Sequence, residues 1–254
     1  MTTNAASNAA MTDEEMLVES ERNEPVFPTI RPRNAATLII LDRTGAHPKV
    51  LMGRRHAGHR FMPGKFVFPG GRIETNDRFM TPVNDLHPVV GEKLLTRTVR
   101  PAVSRGRALA LAAIRETFEE TGLLLGRKLD APAKRTPQGP WSDFAGHGVT
   151  PDLEPLRFIA RAITPPGRPK RFDTRFFAVD ASQIAERIDG VVTADTELTE
   201  LVWVEIEEAR QLDLPSITTV VLKELEQRTA LGFHHELPVP FYNPKRGGFQ
   251  REEL

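Results

Sequence analysis

Residues 115–122 read Arg-Glu-Thr-Phe-Glu-Glu-Thr-Gly and constrain this chain more than any other segment. Helical periodicity begins at Ala108, and Gly122 is a natural C-cap, so the spacing predicts a helix over 108–121. At about 100° per residue, Glu119 lies about 60° to one side of Glu116 and Glu120 about 40° to the other. Three carboxylates therefore share one arc. Leu111, Ile114 and Phe118 fall on the opposite side and form a core stripe. Such a helix must lie with one face on an apolar layer and keep the other for charge. Like charges three and four residues apart repel, and the last turns of a helix disfavour negative charge. Arg115 can reach Glu119, which leaves Glu116 and Glu120 without a cation on this helix. The arrangement suits either a solvated acidic face or a site for a hard divalent cation such as Mg²⁺ or Mn²⁺.

The flanking segments supply the apolar layer. Residues 35–41 and 50–52 read as a buried strand and its hairpin partner, and 61–71 as a strand flanked by turn-forming Gly and Pro. Residues 78–107 are broken by prolines, with room for one short helix near 91–98, and residues 127–151 read as a long loop. Residues 156–163 and 171–179 are two strands across a Pro/Gly-rich turn. A short helix is expected at 181–187, a strand at 201–204 with Trp203 in the core, and a helix from an N-cap at Ser216 to about 229. Beyond Phe233 no period is visible. The order implies an α+β, mixed-sheet domain.

Composition narrows the function. Lys+Arg and Asp+Glu are each 34, and the resulting zero net charge removes the electrostatic argument for nucleic-acid binding. No cysteine is present, which excludes disulfides, thiolate metal sites and cysteine nucleophiles and fits a reducing cytoplasm. No apolar run is long enough for a bilayer. Residues 1–30 lack an apolar h-region, so no signal peptide is expected and the segment reads as a disordered tail.

Residues 115–123 together with the Phe-Pro-Gly-Gly of residues 68–71 resemble the signature of the Nudix hydrolase family. The two halves of that signature are separated by an extra segment of about thirty residues, roughly 78–107. A split of this kind, with residues 61–71 and 171–177, is similar to the branch containing the peroxisomal coenzyme A diphosphatases and bacterial relatives. The C-terminal Glu-Glu-Leu is not a peroxisomal address. The resemblance implies a Nudix fold, a mixed β-sheet sandwiched between helices, over 31–230, with 231–254 as a C-terminal extension.

It also implies a metal-dependent diphosphohydrolase acting on a nucleoside diphosphate linked to a second moiety. Coenzyme A or an acyl-CoA is the favoured substrate; ADP-ribose, NADH or a dinucleotide is the alternative, and a non-catalytic nucleotide sensor is the rival class. Glu116, Glu119, Glu120 and the Gly70 carbonyl would be the ligands of Mg²⁺ or Mn²⁺, and Arg115 would orient a carboxylate. The general base is one of these glutamates or a more distant one. Glu197 and Glu200 are both candidates for an additional acid. Arg54 and Arg55, in a basic cluster with His56, His59 and Arg60, and Arg171 and Arg175, near Arg168 and Lys170, are substrate-binding candidates. Asp77 stands six residues after Gly71, where the signature has Glu. It reads as a loop residue that the insertion uncouples from the helix. The insertion could cover the pocket, set specificity or form a homodimer contact.

Overall fold

The computed structural model describes residues 11–19, 26–59, 62–130, 133–245 and 248–254. Helix α1 spans Asp13–Glu19. A hairpin of β1 (Arg33–Asp42) and β2 (Lys49–Arg55) leads to two short strands, β3 (Phe66–Val67) and β4 (Gly70–Arg72). Helices α2 (Pro88–Leu95) and α3 (Val103–Thr121) follow, then β5 (Leu123–Leu125), β6 (Arg127–Lys128), α4 (Pro140–Gly146) and β7 (Val149–Thr150). Strands β8 (Arg157–Ile163), β9 (Phe172–Asp180), β10 (Ile184–Arg187) and β11 (Leu198–Glu205) precede α5 (Ile206–Ala209) and α6 (Ser216–Ala230). The hairpin β12 (Pro240–Lys245) and β13 (Gly248–Glu253) ends the chain.

Among the described residues one mixed sheet of nine strands runs β11-β2-β1-β9-β8-β12-β13, with β3 paired to β2 and β4 to β1. Strand β1 is antiparallel to β2 and β4 but parallel to β9, whose antiparallel partner is β8. Alternation along β1 divides the core. Leu38 and Ile40 face a layer built from α2, α3 and α4, whereas Ile39 and Leu41 face α1, α5 and α6. The result is a sheet between two helical layers, as the sequence implies. No helix of the described residues is long and apolar enough to cross a membrane.

Several segments depart from the sequence reading. Helix α3 starts at Val103, five residues before the expected Ala108. Residues 13–19, expected within the tail, form α1. Thr12 accepts from the Glu15 amide while Glu15 accepts from the Thr12 amide, a capping box, and Leu17 is buried. Residues 127–151 are not a continuous loop. Pro140 sits in the first turn of α4, where its missing N–H costs nothing, and Trp141 and Phe144 plug the core. Residues 181–187 make one 3₁₀ turn, opened by the Asp180 side chain accepting from the Ser182 amide, and then strand β10 beside β5. Pro215, not Ser216, occupies the N-cap of α6. Trp203 keeps 39% of its surface exposed on β11, which is an edge strand among the described residues.

The insertion and the C-terminal extension are part of the fold. Met80, Val90 and Leu94 enter the α3-side core, and β12 adds to the main sheet beside β8. The two segments also clasp each other. Lys93 Nζ donates to the carbonyls of His235, Glu236 and Leu237, the rings of His87 and His235 stack at 4.0 Å, and Arg97 pairs with Glu252 at 3.3 Å.

Candidate active site

The second half of α3 lies against β4, and Arg115 joins them. Its side chain is 2% exposed, and all five of its N–H donors are used. Nε and Nη2 donate to the Asp77 carboxylate at 2.8 and 3.2 Å, and Nη2 also donates to the Arg72 carbonyl at 2.9 Å. Nη1 donates to Glu116 Oε1 at 3.0 Å and Glu119 Oε2 at 2.5 Å. Burial works against the guanidinium's charge, but the hydrogen bond to Asp77 and the surrounding carboxylates outweigh it and hold the group firmly cationic.

Two glycines set how close β4 comes to the helix. A Cβ on Gly71 would lie 2.3 Å from Glu116 Cδ, so only a residue without a side chain leaves that carboxylate in place. Gly70 donates its amide to Glu120 Oε2 at 3.0 Å. Helix α3 then stops because Gly122 adopts φ 73°, the left-handed C-cap.

The carboxylates are under electrostatic load. Burial, then the charge of Glu119, pushes the Glu116 carboxyl up to about 7 despite Arg115. Burial raises Glu120 well above the carboxylate range; the charges of Glu197 and Glu116 add to this, and the Gly70 amide and Arg55 oppose it. Glu197 is thus near enough for its charge to act on Glu120. Arg55 Nη2 donates to Glu197 Oε1 at 2.7 Å, with His59 Nε2 3.6 Å from the same oxygen. Arg55 Nε is buried without a hydrogen-bond partner among the described residues.

The structure thus brings together Arg115, Glu116, Glu119, Glu120, Gly70, Glu197 and Arg55. Glu200 lies outside this group, 4.0 Å from exposed Arg54. Both line the rim of a cavity of about 480 Å³ with Arg55, His56 and Thr199. Arg171 and Arg175 do not join the site. Arg171 is buried and donates to the Thr164 and Ile30 carbonyls. Arg175 is 1% exposed and donates to Asn34 and to the Asp173 carbonyl, with the Asp173 carboxylate 3.0 Å away. Their positive charge is spent inside the fold. Arg60 lies outside the described residues.

Asp77 is the residue that sequence reasoning misplaced. It is fully buried and bound to Arg115, because the insertion loops out and returns α3 to β4, so the extra chain does not separate the two halves. Its spacing from Gly71 was the signal. Among the described residues no three acidic, histidine or cysteine side chains are gathered closely enough to enclose a metal ion, and Arg115 engages Glu116 and Glu119. The donors nonetheless suit one. They are all oxygen, and Glu116 and Glu120 are half-buried carboxylates whose charge desolvation penalises.

No family model matches the chain. A solved structure of a Nudix hydrolase from Alicyclobacillus acidocaldarius is 31% identical; the match covers 76% of this chain and 90% of that one, with a TM-score of 0.53. Nudix hydrolase 7 of Caenorhabditis elegans is 25% identical over 185 residues, 69% of this chain. The match spans 52% of that curated relative, about half its length.

Proposed function

The chain belongs to the Nudix hydrolase family, and on that premise we propose that it is a Mg²⁺- or Mn²⁺-dependent diphosphohydrolase acting on nucleoside diphosphate derivatives, with coenzyme A or an acyl-CoA favoured. The observation that carries this reading is the pair of half-buried carboxylates, Glu116 and Glu120, held against Gly71 and Gly70. A cation bound there by Glu116, Glu119, Glu120 and the Gly70 carbonyl would neutralise a diphosphate and make a water nucleophilic near neutral pH.

The remaining roles fall to this chain's own side chains. Arg115 fixes Glu116 and Glu119 from behind. Glu197, whose charge acts on Glu120 and which pairs with Arg55, is the additional acid in preference to Glu200. A glutamate beside the bound water serves as general base, and Glu120, held by the Gly70 amide, is the candidate. The buried, unpartnered Nε–H of Arg55 is a ready donor for a phosphate oxygen.

Room for the rest of the substrate is at hand. Gly70 pairs with Thr37 in the sheet, and Thr37 with Phe176. Phe176 floors a second cavity of about 480 Å³ walled by Met62, Pro63, Leu214 and Lys65. This cavity lies on the sheet face packed by α1, α5 and α6, opposite the face that carries α3. An apolar cavity with a lysine suits a nucleoside or a pantetheine arm, and the basic rim at Arg54 and His56 suits a further phosphate. Absence of cysteine fits a cytoplasmic enzyme.

Mass-spectrometric product analysis tests this reading with Mg²⁺ and Mn²⁺ over CoA, acyl-CoAs, ADP-ribose, NADH and dinucleoside polyphosphates. Release of 3′,5′-ADP and phosphopantetheine supports the coenzyme A assignment. Cleavage of ADP-ribose or NADH alone retains the chemistry and discards that substrate. Stabilisation by nucleotide with no turnover of any compound identifies a sensor and overturns the enzyme.

A further inference from the structure

We propose that Trp141, on α4 in the segment after the catalytic helix, is a positioning residue for the carboxylates of α3, acting through Asp77 and Arg115. This rests on the hydrolase reading of that helix.

A carboxylate offers about four acceptor positions, two on each oxygen. At Asp77 all four are filled. Oδ1 accepts from Arg115 Nε at 2.8 Å and from the indole Nε1–H of Trp141 at 3.0 Å. Oδ2 accepts from the Glu74 amide at 2.7 Å and Arg115 Nη2 at 3.2 Å. Asp77 and Trp141 are both fully buried, so water cannot substitute for a missing donor.

The chain of bonds then runs on without slack. Arg115 has no spare donor, and its Nη1 holds Glu116 and Glu119. A buried carboxylate that loses one of four donors turns toward those that remain. Turning Asp77 turns the guanidinium bound to it, and with it the two glutamates.

A second contact path makes the indole's polar end separable from its packing. The Trp141 ring meets Phe144 at 5.4 Å, and Phe144 meets Phe118 of α3 at 5.4 Å. Trp141→Phe removes the N–H and keeps a ring; Phe144→Leu loosens the aromatic path and leaves the N–H. The segment 127–151 thereby contributes to the site through the Trp141 hydrogen bond, although none of its described residues bonds the carboxylates of α3 directly.

Two measurements decide this. In a Trp203→Phe background Trp141 is the only indole, and its ¹H–¹⁵N resonance reports on Asp77. Glu119→Gln is expected to shift that resonance, and so is addition of Mg²⁺. Trp141→Phe is expected to lower kcat about tenfold or more with KM within about twofold, whereas Phe144→Leu lowers the melting temperature more than kcat. An indole resonance unmoved by Glu119→Gln overturns the proposal. So does a Trp141→Phe enzyme whose losses parallel those of Phe144→Leu, since packing then explains both. If Trp141→Phe does not fold, the resonance measured with Trp141 intact still decides. If the parent chain cleaves no nucleoside diphosphate derivative, the hydrolase reading fails and the resonance shift still tests the linkage.

Discussion

Arg115 Nε lies 2.8 Å from Asp77 Oδ1, and the two side chains are 2% and 0% exposed. They stand 38 residues apart, on either side of the insertion, and form the joint between the glycine strand and the carboxylate helix.

Asp77→Asn removes the one fully buried carboxylate from the Arg115 guanidinium and leaves it the more exposed Glu116 and Glu119. Breaking a buried pair from one side costs about 3–5 kcal/mol. Urea unfolding should show a loss of that order. Asp77→Glu should recover more of it than Asp77→Ala.

Gly71→Ala places a methyl where the Glu116 carboxyl now sits, 2.3 Å from Cδ. Glu116 must swing away. Displacement of a catalytic group by about 1 Å can cost about 100-fold in rate. Hydrolysis should fall by about that factor, with the circular dichroism spectrum unchanged.

Gly122→Ala forces an L side chain into φ 73° with its Cβ 2.3 Å from the Ile188 carbonyl oxygen. The backbone penalty alone is about 1–2 kcal/mol, and the contact adds to it. Thermal unfolding should show destabilisation of at least that size.

Stability should fall with acid through the clasp at the C-terminus. Burial, then Arg157 and the stacked His87, pushes His235 down to about 4; Lys93 adds to this and Glu236 opposes it. The unfolded chain therefore takes up this proton near pH 6.5, and the folded chain only near 4. Its contribution is complete above about pH 6.5 and is lost as pH falls through that interval. The melting temperature should drop across it, and His235→Gln should flatten the drop.

Much of the fold and site was legible because it depends on local chemistry. The apolar stripe at Leu111, Ile114 and Phe118 and the glycine stop fix α3, and short apolar runs bounded by turn residues fix β1, β8 and β9. What escaped depended on partners distant in sequence. Strand β12 contains Pro240 and Pro244, which mask its period, and it exists because β8 offers an edge. Helix α4 begins at a proline in a stretch rich in breakers, and burial of Trp141 and Phe144 decides it. Arg171 and Arg175 look available in sequence, yet carbonyls from remote loops and Asp173 claim them. The Thr12–Glu15 capping box was local and could have located α1.

The most direct test compares Mg²⁺-supported hydrolysis by the parent chain and by Glu120→Gln, whose fold is checked by circular dichroism. The amide keeps the size and an acceptor for the Gly70 amide but has neither charge nor basicity. The expected result is a loss of kcat of about 10²–10⁴-fold. Turnover by Glu120→Gln within about threefold of the parent would contradict the assignment of this site.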